Sequence, residues 1–242
     1  MSENAADYTF VFVGNIDLDT FRPLVEQYIA TLPANAKKAQ KKLTDFSKSF
    51  FFNDTATTEI YTCPMQTPQS WIYITAFGHE PYTMKDAQLA SVSAQILSKR
   101  LLDKVREEMG AVYSIGAQGS MDRIGDQNVE ILTAFPMKPE MKDEVLSEIH
   151  KMFEAMTENV GQEELDKVKE FMVKSYTENL EVNTAWRGAI TGWLTNGVDT
   201  FNGNIASMNS ITTDDVKAYM KKLMDQGNYR VVVLDPEAAP AE

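Results

Sequence analysis

The sequence predicts an α+β fold: a mostly antiparallel sheet of about five or six strands with long helices packed on one face. Three observations predict it. Short β-branched and aromatic runs recur along the chain, and long stretches carry apolar residues three and four positions apart. Two neighbouring β-prone runs are joined by a turn containing Asp122 and Gly125, as in a hairpin.

Tyr8 to Val13 is a dense aromatic and β-branched run closed by Gly14, which reads as a buried strand. A helix is expected from about Asp19, since Pro23 is best tolerated in a first turn. Phe21, Leu24, Val25, Tyr28 and Ile29 mark one face of it, and Pro33 stops it. Residues 34–48 hold five lysines and little apolar content, an exposed linker. Residues 50–62 (F-F-F-N-D-T-A-T-T-E-I-Y-T) match the conceptual translation of a short-read sequencing adapter. They read as an artefact replacing a natural segment. Thr57 to Thr62 is β-prone all the same, and no function rests on it.

Gln69 to Phe77 is a strand, with Trp71, Tyr73 and Thr75 on one side and Ile72, Ile74 and Ala76 on the other. A long helix follows from Thr83 to Met109. Its apolar tracks are Leu89, Val92, Ile96, Leu97, Leu101 and Val105, and Gly110 stands where a left-handed C-cap belongs. Strands at Ala111–Gln118 and Asn128–Phe135 form the hairpin. A helix from Pro139 to about Thr157 comes next. A very long one starts at Gln162 and is expected to reach Leu194, bent near Gly188 or Gly192. Thr212 to Asp215 opens a last helix, and Tyr229 to Leu234 is the closing strand. The 242 residues sit near the upper end of a single domain, and residues 1–242 are read as one.

Composition narrows function by exclusion. Hydrophobic residues at 43% and charged residues at 24% exclude a disordered chain. Lys and Arg total 23 against 35 Asp and Glu, a net charge of −12 that argues against nucleic acid as a partner. No apolar run approaches the roughly 18 residues of a membrane span. The acidic, polar N-terminus does not resemble a signal peptide, and so abrupt an opening suits the tail of a longer protein. Cys63 is the single cysteine, so no intrachain disulfide forms and the compartment stays open.

The chemistry inventory is thin. There are two histidines, His79 and His150, and neither H-E-x-x-H nor H-x-x-E-H occurs. His150 and Glu154 share a helical face and read as an exposed pair, so this chain carries no zinc site of its own. G-x-S-x-G and phosphate-loop motifs are absent as well, and Cys63 lies 16 positions from His79.

One local arrangement is more specific. Arg106 lies in the last turn of the long helix, Gly110 ends that helix, and Tyr113 follows early in the next strand. A tight turn there can bring both side chains to one edge, where guanidinium and phenol are donors suited to a carbonyl or developing oxyanion. The plainer alternative is an Arg106–Asp103 surface pair beside a half-buried strand tyrosine.

The stretch Leu102–Ser114 belongs to a longer pattern. Together with Phe10–Asp17, Leu24–Pro33, Thr67–Ser70, Ile211–Val216 and Val231–Pro236, it resembles the C-terminal domain of the pitrilysin/insulinase family of zinc metallopeptidases, the inverzincins. The resemblance implies two similar halves enclosing a cleft, with H-x-x-E-H and a distal Glu in the N-terminal half binding zinc. It implies that the C-terminal half supplies an Arg and a Tyr, seven positions apart, to hold the peptide and stabilise the tetrahedral intermediate; Arg106 and Tyr113 have that spacing. It also implies that the strand after Thr67 lies near the enclosed chamber. The metal half is missing here. The expected partners are therefore an N-terminal zinc-binding half or homologous subunit and a peptide substrate, with no cofactor in this chain and no cleavage by it alone. A non-catalytic scaffold pairing with a homologous domain is the alternative. Resequencing the source locus is expected to return different codons for residues 50–62 and a reading frame that continues upstream into H-x-x-E-H; a stop just before Met1 with no such motif nearby favours the scaffold.

Overall fold

The computed structural model describes residues 4–34, 55–123 and 128–237. The chain divides into two compact units, a larger one of residues 50–173 with 203–242 and a smaller one of residues 1–49 with 174–202.

The larger unit is built on a five-stranded mixed sheet. Its strands are β1 (Thr57–Cys63), β2 (Ser70–Gly78), β3 (Ala117–Met121), β4 (Val129–Met137) and β5 (Tyr229–Pro236), in the order β1-β5-β2-β4-β3. Three neighbouring pairs are antiparallel and β1–β5 is parallel. The register places Ile72 between Phe135 and Val233, and Ile74 between Thr133 and Val231. That row is buried on the side facing the helices, matching the alternation expected for β2. Trp71 points to the opposite face and is exposed.

Helix α2 (Met84–Leu101) lies over β3 and β4, the later helix α7 (Thr213–Asp225) lies over β2, and α3 (Lys142–Ala155) packs on both helices. All six apolar positions expected for the long helix are buried. Small residues set how closely α2 approaches: a Cβ on Gly119 would lie 2.1 Å from the Ala90 carbonyl oxygen. Around that contact the Ala117 N–H donates to Ser98 Oγ at 2.7 Å, and Ser98 Oγ donates to the Ala117 carbonyl at 3.0 Å. Arg100 makes a bidentate pair with Glu164 at 2.9 and 2.7 Å, tying α2 to the start of α4 (Gln162–Asn179). A capping box between Thr212 and Asp215 starts α7 as the sequence suggested. A short helix, α6 (Asn204–Ser210), has no counterpart in the sequence reading.

Several expectations need correcting. The strand expected from Ala111 is confined to Ala117–Met121. Ala111, Val112 and Ile115 are buried instead, and the Gly116 carbonyl accepts from the Thr133 hydroxyl at 2.7 Å. The very long helix from Gln162 breaks at Leu180–Val182, before either glycine, and resumes as α5 (Asn183–Asn196). Val182 is extended, and the Trp186 indole N–H donates to the freed Leu180 carbonyl at 2.7 Å. α5 ends at Gly197, whose φ of 71° is left-handed.

In the smaller unit, α1 (Leu18–Tyr28) starts on an Asp17 cap whose Oδ1 accepts from the Thr20 N–H at 2.9 Å. Pro23 stands in its second turn, not its first, where it leaves the Asp19 carbonyl without a helical donor. Tyr8–Val13 forms no ladder with any described strand, contrary to the buried strand expected. Residues 35–48 of the lysine-rich linker and the turn glycine Gly125 lie outside the described residues.

One polar network joins three elements. Ser70 Oγ donates to Asp235 Oδ1 at 2.5 Å, and Lys142 Nζ reaches Asp235 Oδ2. Burial pushes the Asp235 carboxyl up, but the hydrogen bonds from Lys142 and Ser70 outweigh it and hold the group below its ordinary 3.8. The folded state then binds fewer protons here than the unfolded chain, so the stabilisation is complete above that ordinary value and is lost as pH falls through the folded value. Asp235→Asn is expected to cost about 1–3 kcal/mol at pH 7 and to flatten the acid limb of a stability–pH profile. Gly119→Ala is expected to cost about 1–3 kcal/mol, read as a lower denaturation midpoint, because backbone and not a movable side chain opposes the new methyl.

Candidate functional site

The long helix does not end as a plain α-helix. Its last stretch, Leu102–Glu108, is π-helical, with the Met109 N–H donating to the Lys104 carbonyl at 3.0 Å. Such widened turns are rare in regular helices and frequent at functional sites. Val105 is fully buried and anchors this turn, which leaves the next residue, Arg106, partly in solvent. Gly110 has φ of 60°, and the Ala111 N–H donates back to the Val105 carbonyl at 3.1 Å, closing the reversal. Ala111 and Val112 are then buried, and Tyr113 projects outward, 90% exposed.

This geometry brings the two singled-out residues together. The Arg106 guanidinium carbon lies 5.9 Å from the Tyr113 ring centroid, within cation–π range. The plainer pairing with Asp103 does not form, because Asp103 is taken by Lys99 at 2.5 Å. Glu108 is likewise taken by Lys104 at 2.7 Å, and Glu107 approaches Arg106 Nε only to 3.6 Å. Among the described residues, neither the guanidinium nor the phenol spends a donor on a hydrogen bond. Two adjacent, outward donor groups, with Asp103 and Glu108 held by lysines and Glu107 beyond hydrogen-bond distance, can bind an acceptor such as a peptide carbonyl. The spacing was legible in the sequence; the π-turn that presents Arg106 was not, since it depends on which carbonyl each backbone N–H selects and no residue type marks that choice.

The residues present do not fit zinc. Among the described residues no group of three or more His, Cys, Asp or Glu side chains is placed to hold a metal ion. His150 pairs with Glu154 at 3.3 Å along an exposed side of α3, the helical pair expected from their spacing. His79 is exposed beyond β2, and Cys63 is a free thiol at the end of β1.

Comparison with known proteins agrees with this division of chemistry. Residues 4–172 match the family described as the peptidase M16 inactive domain. The chain is 24% identical over 176 residues to the probable zinc protease PqqL of Escherichia coli, a match covering 70% of this chain and 18% of that protein. In fold it is similar to a protease from Helicobacter pylori, with a TM-score of 0.72 and 15% identity over 93% of this chain and 54% of that one. It is similar also to the periplasmic protease PqqL itself, with a TM-score of 0.69 and 18% identity over 93% of this chain and 25% of that one. The chain thus spans only part of each relative's length. With a fold, a family match over most of its length and no metal cluster among its described residues all in agreement, the chain belongs to the pitrilysin/insulinase (M16) peptidase family as its inactive, C-terminal type of domain.

Proposed function

We propose that this domain completes the cleft of a zinc peptidase by supplying Arg106 and Tyr113 to a peptide substrate held against a separate zinc-binding half. The observation that carries the reading is the pair itself: two unspent donor groups held side by side on a π-turn and the strand connection that follows it. Arg106 fixes the peptide through a backbone carbonyl, its planar fork favouring one orientation. The Tyr113 phenol donates to the oxygen that gains charge as the carbonyl becomes tetrahedral. The zinc-binding half supplies the metal and the activated water; this chain supplies positioning and electrostatics. The family's described inactive domain and the relative named as a probable zinc protease support this split.

The second reading, a non-catalytic scaffold, rests on the same lack of metal ligands among the described residues. One experiment separates the two. The 242-residue chain is assayed on a fluorogenic peptide, alone and with the zinc-binding half encoded at its locus. Alone it is expected to cleave nothing; with the half, cleavage is expected and chelator-sensitive. Tyr113→Phe should then lower kcat by roughly 10 to 1,000-fold, the scale of one lost oxyanion donor. Arg106→Gln should act mainly by raising KM. Unchanged turnover in both variants removes them from the site, and a half that binds without any cleavage leaves the scaffold.

A further inference from the structure

α5 and the loop after it build a cavity from local sequence. Gly197 ends α5, its N–H donating to the Trp193 carbonyl at 2.8 Å, and residues 198–202 turn back along the helix. Asp199 ties that loop together. Its Oδ1 accepts from the Phe201 and Asn202 N–H groups at 2.8 and 2.9 Å, and its Oδ2 accepts from the Asn202 side-chain amide. The turn lays Phe201 against Trp186, with ring centroids 4.4 Å apart, and the Tyr176 hydroxyl of α4 donates to the Phe201 carbonyl at 3.2 Å. The Trp186 indole is itself fixed by its bond to the Leu180 carbonyl.

The cavity measures about 320 Å³, room for a small ligand or one large side chain. Trp186, Ile190, Trp193 and Phe201 line it together with Asp199. Trp193 stays 58% exposed, so the chain does not bury it by itself. Hydrogen bonds from the Asn202 backbone and amide, and from the Phe201 N–H, hold the Asp199 carboxyl below its ordinary 3.8, so it is charged at neutral pH. No cation contributes to that shift, and among the described residues Asp199 forms no ion pair. A fixed negative charge beside two indoles suits a cation on an apolar stem, because aromatic faces attract positive charge and indole does so most strongly. Past the Trp186–Phe201 stack the groove continues over Gly188 and Gly192, where an added Cβ would meet nothing within 4 Å. A chain carrying such a side chain therefore has room to lie along α5.

We infer that this cavity is a binding site for an arginine side chain of a peptide, its guanidinium stacked on indole and paired with the Asp199 carboxylate. Arginine is favoured over lysine because a planar guanidinium can lie on an aromatic ring and still turn N–H donors at its edge to a carboxylate. An uncharged apolar side chain would fill the walls and leave Asp199 without a partner. The net charge of −12 draws basic peptides towards the chain. Nothing in this site requires the role given to Arg106 and Tyr113.

Tryptophan fluorescence of the full chain tests it, in a Trp71→Phe background so that only Trp186 and Trp193 report. The probes are two acetylated, amidated Gly-X-Gly tripeptides at constant ionic strength, with X arginine in one and citrulline, its uncharged isostere, in the other. The arginine probe is expected to quench saturably, and the citrulline probe to bind at least about 10-fold more weakly. Asp199→Asn keeps an acceptor for the turn and removes the charge. It is expected to hold the Tm and to bring the arginine probe down to the citrulline level. Trp193→Phe, at an exposed position, is expected to weaken the arginine probe by roughly 3 to 10-fold. Equal binding of the two probes overturns the inference in favour of a purely apolar groove. Unchanged arginine affinity in either variant overturns it as well, and so does the lack of a saturable response up to about 50 mM probe. If Asp199→Asn lowers the Tm, the citrulline comparison and Trp193→Phe decide, because both leave the turn untouched.

Discussion

The seat of α2 on β3 at Gly119 is the contact on which the larger unit depends. A single Cβ there would run into the Ala90 backbone, so the helix and the edge strand approach as closely as main chain allows. The Ser98–Ala117 hydrogen bonds fix the slide of one element along the other. α2 runs on into the π-turn that carries Arg106, and β3 begins four residues after Tyr113. The close Gly119–Ala90 contact thus lies between four and five helical turns before Arg106 along the helix and six residues after Tyr113.

Each carboxylate beside Arg106 has another partner or lies beyond hydrogen-bond reach: Asp103 goes to Lys99, Glu108 to Lys104, and Glu107 stays at 3.6 Å. The ion pairs are exposed and add little stability. Their consequence is to leave the guanidinium and phenol available to an acceptor from outside. The firmer polar bonds lie elsewhere, in Arg100–Glu164 and in the Ser70–Asp235–Lys142 cluster, where they hold helices and strands in register.

Much of the fold was legible because its elements carry strong local patterns. The alternation of β2 foretold its buried row, and the six apolar positions of α2 are all core residues. Gly110 was correctly read as a left-handed cap. The errors fall where local pattern and tertiary demand part. Tyr8–Val13 has the composition of a buried strand but no described strand to pair with, and α4 breaks at Leu180–Val182 where an indole, not a glycine, satisfies the loose carbonyl. α6 is only seven residues long, too short for a periodic pattern to stand out.

The sequence by itself determined the seven-residue spacing of Arg106 and Tyr113, the lack of H-E-x-x-H and H-x-x-E-H motifs and the α+β class, since these depend on residue type and period. Tertiary structure alone decided that Arg106 faces Tyr113 instead of Asp103, that β1 runs parallel to β5, and that the aromatic row of Tyr8, Phe10 and Phe12 faces water. Those outcomes turn on which neighbour occupies a carboxylate, which edge of a strand is free and which side of a segment is covered. A one-dimensional pattern holds none of these, because each is a competition among groups distant in the chain.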